Sequence, residues 1–298
     1  MNTGARRVRE WLIERAIQAA GAMAIVFVLA IFAFLLRDAL PVFRETTVRE
    51  LAAGRTWLPT AEPPKLGLLP LLLGSLYVTI GALLISVPLG VACAAFISEV
   101  APRWMRETLK PAVEVLATIP SVVFGFLGLL LVGPWLAELL DLDVPLFAGL
   151  GSLMLAFMAM PMIVSLSEDA IRAVPMTLRE NSLALGATQW QTIWRVVLPA
   201  GRSGIIAAAL LGMGRAIGET MTVLMVTGNA AVIPLGLQGF LRPVRTMTAT
   251  IAAEMGETAY NTPHYHALFA IGLLLFIITF AANTIADVVV RRSSRTSR

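Results

Sequence analysis

Apolar residues lie along this chain in long unbroken blocks, separated by short polar segments. Six blocks reach the roughly 20 residues that cross about 30 Å of hydrocarbon. They cover residues 16–36, 66–98, 115–137, 144–167, 203–228 and 267–286. The second is long enough for a span plus a re-entrant or lateral extension. The fifth is interrupted by Arg215 and Glu219. The pattern predicts an all-α polytopic membrane protein with six transmembrane helices. The first block is expected to stay as a helix. Its apolar core exceeds that of a cleaved signal peptide, and Arg37-Asp38 follows it with no small-residue cleavage site.

The segments between the blocks differ in character. Residues 37–67 form a loop rich in Pro and Arg, with a short amphipathic piece expected near 48–53. Residues 98–110 read as a short loop, and 138–143 as an acidic turn. Residues 229–266 read as irregular, with Gly236, Gly239, Pro243 and Pro263 as breakers. Pro88, Pro120, Gly125, Gly128, Pro134, Pro161, Gly212, Gly214 and Gly218 stud the spans. Such density predicts close packing and broken helices of the kind that line a pathway. There is no internal repeat. The expected organisation is a basic tail at 1–15, a transmembrane domain at 16–290 containing a structured loop at 168–202, and a second tail at 291–298.

Within that loop two helices are predicted. Pro175 suits a first helical turn. The first helix should stop at Gly186, which can adopt the left-handed conformation past a helix end. Thr188 should cap the second helix, with Gln191 three residues on completing a capping box. Trp190, Ile193, Trp194, Val197 and Leu198 then form an apolar stripe, and Pro199 is expected to end it. Such a unit could serve as an interfacial anchor or as a docking element for a partner.

Composition agrees with a membrane protein: 57% of residues are hydrophobic and only 14% charged. The positive charges are unevenly placed. With the N-terminus inside, 15 Lys and Arg fall on inner segments and 7 on outer ones, five of the latter in the 37–65 loop beside four acids. The bias predicts that both termini are cytoplasmic. The basic pI of about 9.8 reflects these inner Lys and Arg residues, so no nucleic-acid partner is inferred. Cys93 is the lone cysteine and reads as a buried structural thiol. His264 and His266 read as ordinary loop histidines, and no metal site or cofactor is expected. Glu114 reads as a helix-end residue. Lys65 and Lys110 are the only lysines, and neither sits in a Gly-Lys-Ser/Thr phosphate loop. The chain is therefore not expected to hydrolyse ATP itself.

Ionisable groups at bilayer depth are costly and point to function. Arg215 and Glu219, four residues apart, are expected on one helical face. A guanidinium fork matches the geometry of an oxyanion, and Glu219 would neutralise it at rest. A purely structural pair between helices is the competing reading.

The 180–199 segment resembles the EAA motif of ABC importer permeases. Glu180-Asn181-Ser182 takes the place of Glu-Ala-Ala, Gly186 follows after three residues, and nine more lead to Val196, Val197 and Leu198-Pro199. Asn181, Ser182 and Val196 depart mildly from the pattern. The run Gly214 to Asn229, the run Ala117 to Leu129 and the segment ending at Pro41 are similar to phosphate-specific transport permeases of the PstC type. That resemblance implies a type I ABC importer permease fold in the bacterial inner membrane. It implies a related PstA-type permease, two ATP-binding subunits and an extracytoplasmic phosphate-binding protein as partners, besides membrane lipid. The importer resemblance points to Glu180, Gly186, Trp190, Trp194, Leu198 and Pro199 for ATPase coupling, while the chemistry of Arg215 and Glu219, with Thr220 beside them, makes these three the expected substrate-pathway residues. Another oxyanion, sulfate or molybdate, and a passive anion channel are the alternatives.

Overall fold

The structure is a computed structural model that describes residues 3–296, with side chains for residues 10–288. The side chains of Arg6, Arg7, Arg9, Arg291, Arg292 and Arg295, and residue 298, which enter the charge bias above, lie outside the described residues.

Among the described residues six helical stretches are long and apolar enough to cross a membrane. The first is α1 (Thr3–Ala39), followed by a 3-10 turn, Leu40–Arg44. The second is α3 (Leu69–Ala95), prolonged by a π-turn at Phe96–Val100. The third joins α5 (Ser121–Leu127), a π-turn at Gly128–Val132 and α6 (Gly133–Leu140). The fourth is α7 (Ala148–Arg172). The fifth joins α9 (Gln189–Thr192), a π-turn at Ile193–Val197 and α10 (Leu198–Gly218). The sixth is α13 (Pro263–Thr296). The short helix expected near residue 48 is α2 (Val48–Ala53), closed by a Thr47–Glu50 capping box.

Three boundaries differ from those expected. The segment at 98–110 is not a plain loop: an amphipathic helix, α4 (Arg103–Ala117), runs through it into the start of the third block, and Glu114 is an exposed residue within it. Thr118, Ile119 and Pro120 then break the chain, because a residue before proline is pushed out of helical geometry. The fifth block breaks after Gly218 and resumes as α11 (Met221–Val226). Pro199 does not end its helix. Its missing N–H would have bonded the Arg195 carbonyl, and the preceding π-turn, where the Leu198 N–H bonds Ile193, re-pairs the backbone so the helix runs on. The 229–266 segment is also more ordered than its breakers suggest. It contains α12 (Met247–Glu254), whose first four residues are all buried.

α7 is the central helix, with well over half of its apolar window buried inside the chain. α3 and α10 flank it, and Ile163 of α7 meets both. A Cβ on Gly90 of α3 would stand 2.9 Å from Ile163, and one on Gly212 of α10 would stand 2.7 Å away. Small residues thus let three backbones approach, as membrane interiors require where apolar burial between helices brings little gain. α1 packs along α13 through Phe32–Phe276 and Phe34–Phe269 and leaves most of its side chains exposed.

The ends of the bundle are dissimilar. At one, β1 (Trp57–Leu58) and β2 (Lys65–Leu66) pair as a short antiparallel ribbon over a core of Trp57, Leu66, Leu71, Met247 and Leu268. At the other, α8 (Met176–Ala184) and α9 bond to the ends of α7 and of the π-turn that prolongs α3.

Candidate functional site: the break in the fifth span and the α8–α9 loop

Gly218 is a poor helix former, and two neighbouring groups offer the chain an alternative after it. Thr248 of α12 donates its hydroxyl to the Glu219 carbonyl at 2.7 Å. The Glu219 carboxylate accepts the Thr222 N–H at 3.2 Å and its hydroxyl at 3.3 Å. Glu219 is extended (φ −70°, ψ 133°) at the end of α10, and from beyond Thr220, the N-cap residue of α11, its carboxylate caps the first turn of that helix. Thr222 also donates to the carbonyl of Ser121, the first residue of α5, at 2.9 Å. The two broken spans therefore meet at their breaks.

This geometry corrects the expected pair. Arg215 and Glu219 do not share a helical face, because the helix stops between them and the four-residue spacing loses its meaning. Arg215 is exposed and makes no hydrogen bond or ion pair among the described residues. Thr220 is half-buried, and its hydroxyl donates to the Gly218 carbonyl at 3.4 Å.

Beside Glu219 lies a group of buried hydroxyls that sequence reading missed. Ser75, Thr79, Thr246 and Thr248 line a cavity with Glu219 and Ala216. At ≈ 10 Å³ it has room for no more than about one water, so the space is closed to an oxyanion in this conformation. The alternation of Thr246, Thr248 and Thr250 was the available signal.

The α8–α9 loop follows its expected local chemistry closely. Gly186 has φ +83°, and α8 ends before it. Thr188 accepts the Gln191 N–H at 3.2 Å, and Gln191 accepts the Thr188 N–H at 2.9 Å. The Ser182 and Thr192 hydroxyls meet at 2.9 Å and tie the two helices together. The apolar stripe, however, divides. Ile193 and Val197 are buried, while Trp190 and Trp194 are exposed and pack edge to face at 5.8 Å. Each pair is four residues apart, so the stripe splits into a buried face and an exposed one. Glu180 and Pro199 are exposed, and Leu198 is half-buried. Leu185, 90% exposed, stands at the tip.

Ion pairs reinforce this end. Arg179 of α8 pairs with Glu99 of the first π-turn at 2.8 Å. Lys110 of α4 reaches Glu168 at 2.7 Å and Asp169 at 2.9 Å on α7. The hydrogen bond to Asp169, then that to Glu168, raises the Lys110 pKa against the opposing effect of burial. Arg172 approaches the other Glu168 oxygen at 3.2 Å without an aligned hydrogen bond. At the ribbon end, Glu254 accepts from Trp57 at 3.1 Å and Arg245 at 2.5 Å, and pairs with His264 at 2.8 Å. His266 is buried and pairs with the Asp38 carbonyl at 2.7 Å. Both histidines stand in the first turn of α13 rather than in the expected loop, His264 tying it to the end of α12 and His266 to the end of α1. Cys93 is half-buried and unbonded.

Among solved structures, a bacterial alginate ABC transporter in complex with an alginate-bound periplasmic protein aligns over 98% of this chain and 98% of its own, with a TM-score of 0.64 at 16% identity. The MetNI methionine ABC transporter in an inward-facing conformation aligns over 74% of this chain and 93% of its own, with a TM-score of 0.56 at 19% identity. These show the fold, that of type I ABC importer permeases. Residues 86–295 match the family described as binding-protein-dependent transport system inner membrane component. The probable ABC transporter permease protein YqgH of Bacillus subtilis is 41% identical over 78% of this chain and 74% of its own. The phosphate transport system permease protein PstC of Xylella fastidiosa is 37% identical over 80% and 78%. A multi-pass inner membrane protein follows from the six apolar helices and this family together. The chain belongs to the inner membrane components of binding-protein-dependent transport systems, among the permeases of the PstC type.

Proposed function

We propose that this chain is the permease subunit that carries inorganic phosphate across the inner membrane in an ATP-driven importer. Arg215, Glu219 and Thr220 contribute to its half of the pathway. The observation that carries this reading is Arg215 itself: an exposed guanidinium without a partner among the described residues, beside the break of a span. A permanent charge is costly there unless something crossing or facing it compensates. The naming of several relatives as phosphate transport permeases supports the choice of anion.

In this reading both termini and the α8–α9 loop are cytoplasmic, and the ribbon end faces outward. The transmembrane domain spans residues 16–290, between short tails. A related PstA-type permease supplies the other half of the pathway, and an extracytoplasmic phosphate-binding protein delivers the anion to the ribbon end. Two ATP-binding subunits dock at the other end on Glu180, Gly186, Trp190, Trp194, Leu198 and Pro199. ATP is hydrolysed in those subunits.

Uptake by proteoliposomes that hold the whole complex tests the pathway assignment. Arg215→Ala is expected to abolish phosphate uptake with membrane abundance and ATPase association unchanged. Arg215→Lys should restore little, because a point charge lacks the planar fork. Full uptake by Arg215→Ala would remove this residue from the pathway.

A further inference from the structure

α8 has no buried residue, so apolar packing does not hold it in place. Arg179 does. Its guanidinium bonds the Glu99 carboxylate through two prongs, Nη2 to Oε1 at 2.8 Å and Nε to Oε2 at 3.2 Å. The same group donates to the carbonyls of Val174 and Ile171, the latter at 2.9 Å, beside the end of α7. The two charged side chains are only 12% and 13% exposed. A second link runs from α9: the Gln189 side chain donates to the Glu99 carbonyl at 2.9 Å. Arg106 of α4 braces the same π-turn through the carbonyls of Ile97 at 2.9 Å and Ser98 at 2.6 Å. Exposed ion pairs contribute little. A bidentate pair largely withdrawn from water differs, since removing one partner strands the other charge.

Glu99 lies near the end of the rod formed by α3 and its π-turn. That rod also carries Ser75 and Thr79, which line the closed cavity beside Glu219. Thr79 is about 30 Å from Glu99 at the helical rise of 1.5 Å per residue. A packed helix is the kind of element that carries a displacement over such a distance.

We propose that Arg179 is a positioning residue that passes the motion of α8–α9 to α3 through Glu99, and so moves the Ser75–Thr79 face beside Glu219. This rests on the reading of α8–α9 as the ATPase dock. α10, continuous with α9, offers a direct route to Arg215. The Arg179–Glu99 pair supplies a second one, to the opposite wall of the cavity.

The test uses the reconstituted complex with its ATPase and binding protein, and measures phosphate taken up per ATP hydrolysed. Arg179→Gln and Glu99→Gln should each lower this ratio by at least about threefold, with ATPase association and basal hydrolysis retained. The double variant should lower it no further, as expected of two residues acting through one contact. Gln189→Leu, which removes only the side-chain link, should give a smaller drop in the same ratio. An unchanged ratio in the single variants overturns the proposal, as do additive losses. Failure of both single variants to insert assigns the pair to folding, and with a normal ratio in Gln189→Leu it overturns the proposal too. Leu185→Asp separates the two readings. If it leaves ATPase association intact, the docking surface is misassigned. If it abolishes association while the Arg179 and Glu99 variants keep a normal ratio, only the relay fails.

Discussion

Glu219 has two tasks that one substitution can separate. Its carboxylate caps α11 by accepting the Thr222 N–H, and it places a negative charge beside the closed cavity. Glu219→Gln keeps a side-chain acceptor and removes the charge. The variant is expected to fold and insert normally, to turn over phosphate slowly, and to reject sulfate less well; parallel uptake of both anions measures this. Glu219→Ala also removes the cap, at a cost of roughly 1 kcal/mol, and should lower thermal stability as well. The swap of Arg215→Glu with Glu219→Arg should rescue neither single variant, because the two side chains are not paired. Both residues were visible in the sequence as charges in an apolar block. Their separation was not, because it depends on Thr248 and Ser121, which lie far away along the chain and make contacts that no local spacing encodes.

Local capping chemistry made α8 and α9 legible before any coordinates. Gly186, Thr188 and Gln191 each do what their residue type predicts, since a cap involves only neighbours in sequence. The π-turn at 193–197 was hidden for the opposite reason. Its cause is joint: Pro199 removes a donor, while burial of Ile193 and Val197 fixes which residues face inward. Gly186 permits a clean test at this scale. Nothing lies within 4 Å of a Cβ built there, so a substitution meets no steric clash and only the left-handed backbone is penalised. Gly186→Val should therefore cost roughly 1–2 kcal/mol locally and tilt α9. The protein should insert normally while transport and ATPase stimulation fall together. Full transport by this variant would leave the loop as an interfacial anchor.

At the scale of the whole molecule, six apolar blocks predicted six spans because a bilayer demands length and apolarity before anything else. α12 escaped that reading, since an eight-residue helix with four buried residues, framed by glycines and prolines, carries no such signature. Orientation is open to direct measurement. Cys93→Ser should give a working cysteine-free background. In it, an impermeant thiol reagent added to intact cells should label Asp141→Cys, at the left-handed end of α6, and spare Leu185→Cys at the exposed tip of α8. The reverse pattern would invert the topology.

The Arg215 guanidinium, unpaired among the described residues, also bears on how this chain survives before it is assembled. A newly inserted copy presents Arg215 to whatever surrounds the bundle, and lipid is a poor host, costing roughly 2.5–3.5 kcal/mol or more at the centre of a span. If, as proposed, a second permease completes a polar passage around this charge, the chain alone is an orphan, and its guanidinium is a chemical mark that membrane quality control would meet. Cells making this chain without the second permease should hold it at low abundance and short lifetime in a pulse-chase. Arg215→Leu should lengthen that lifetime, even though it silences transport.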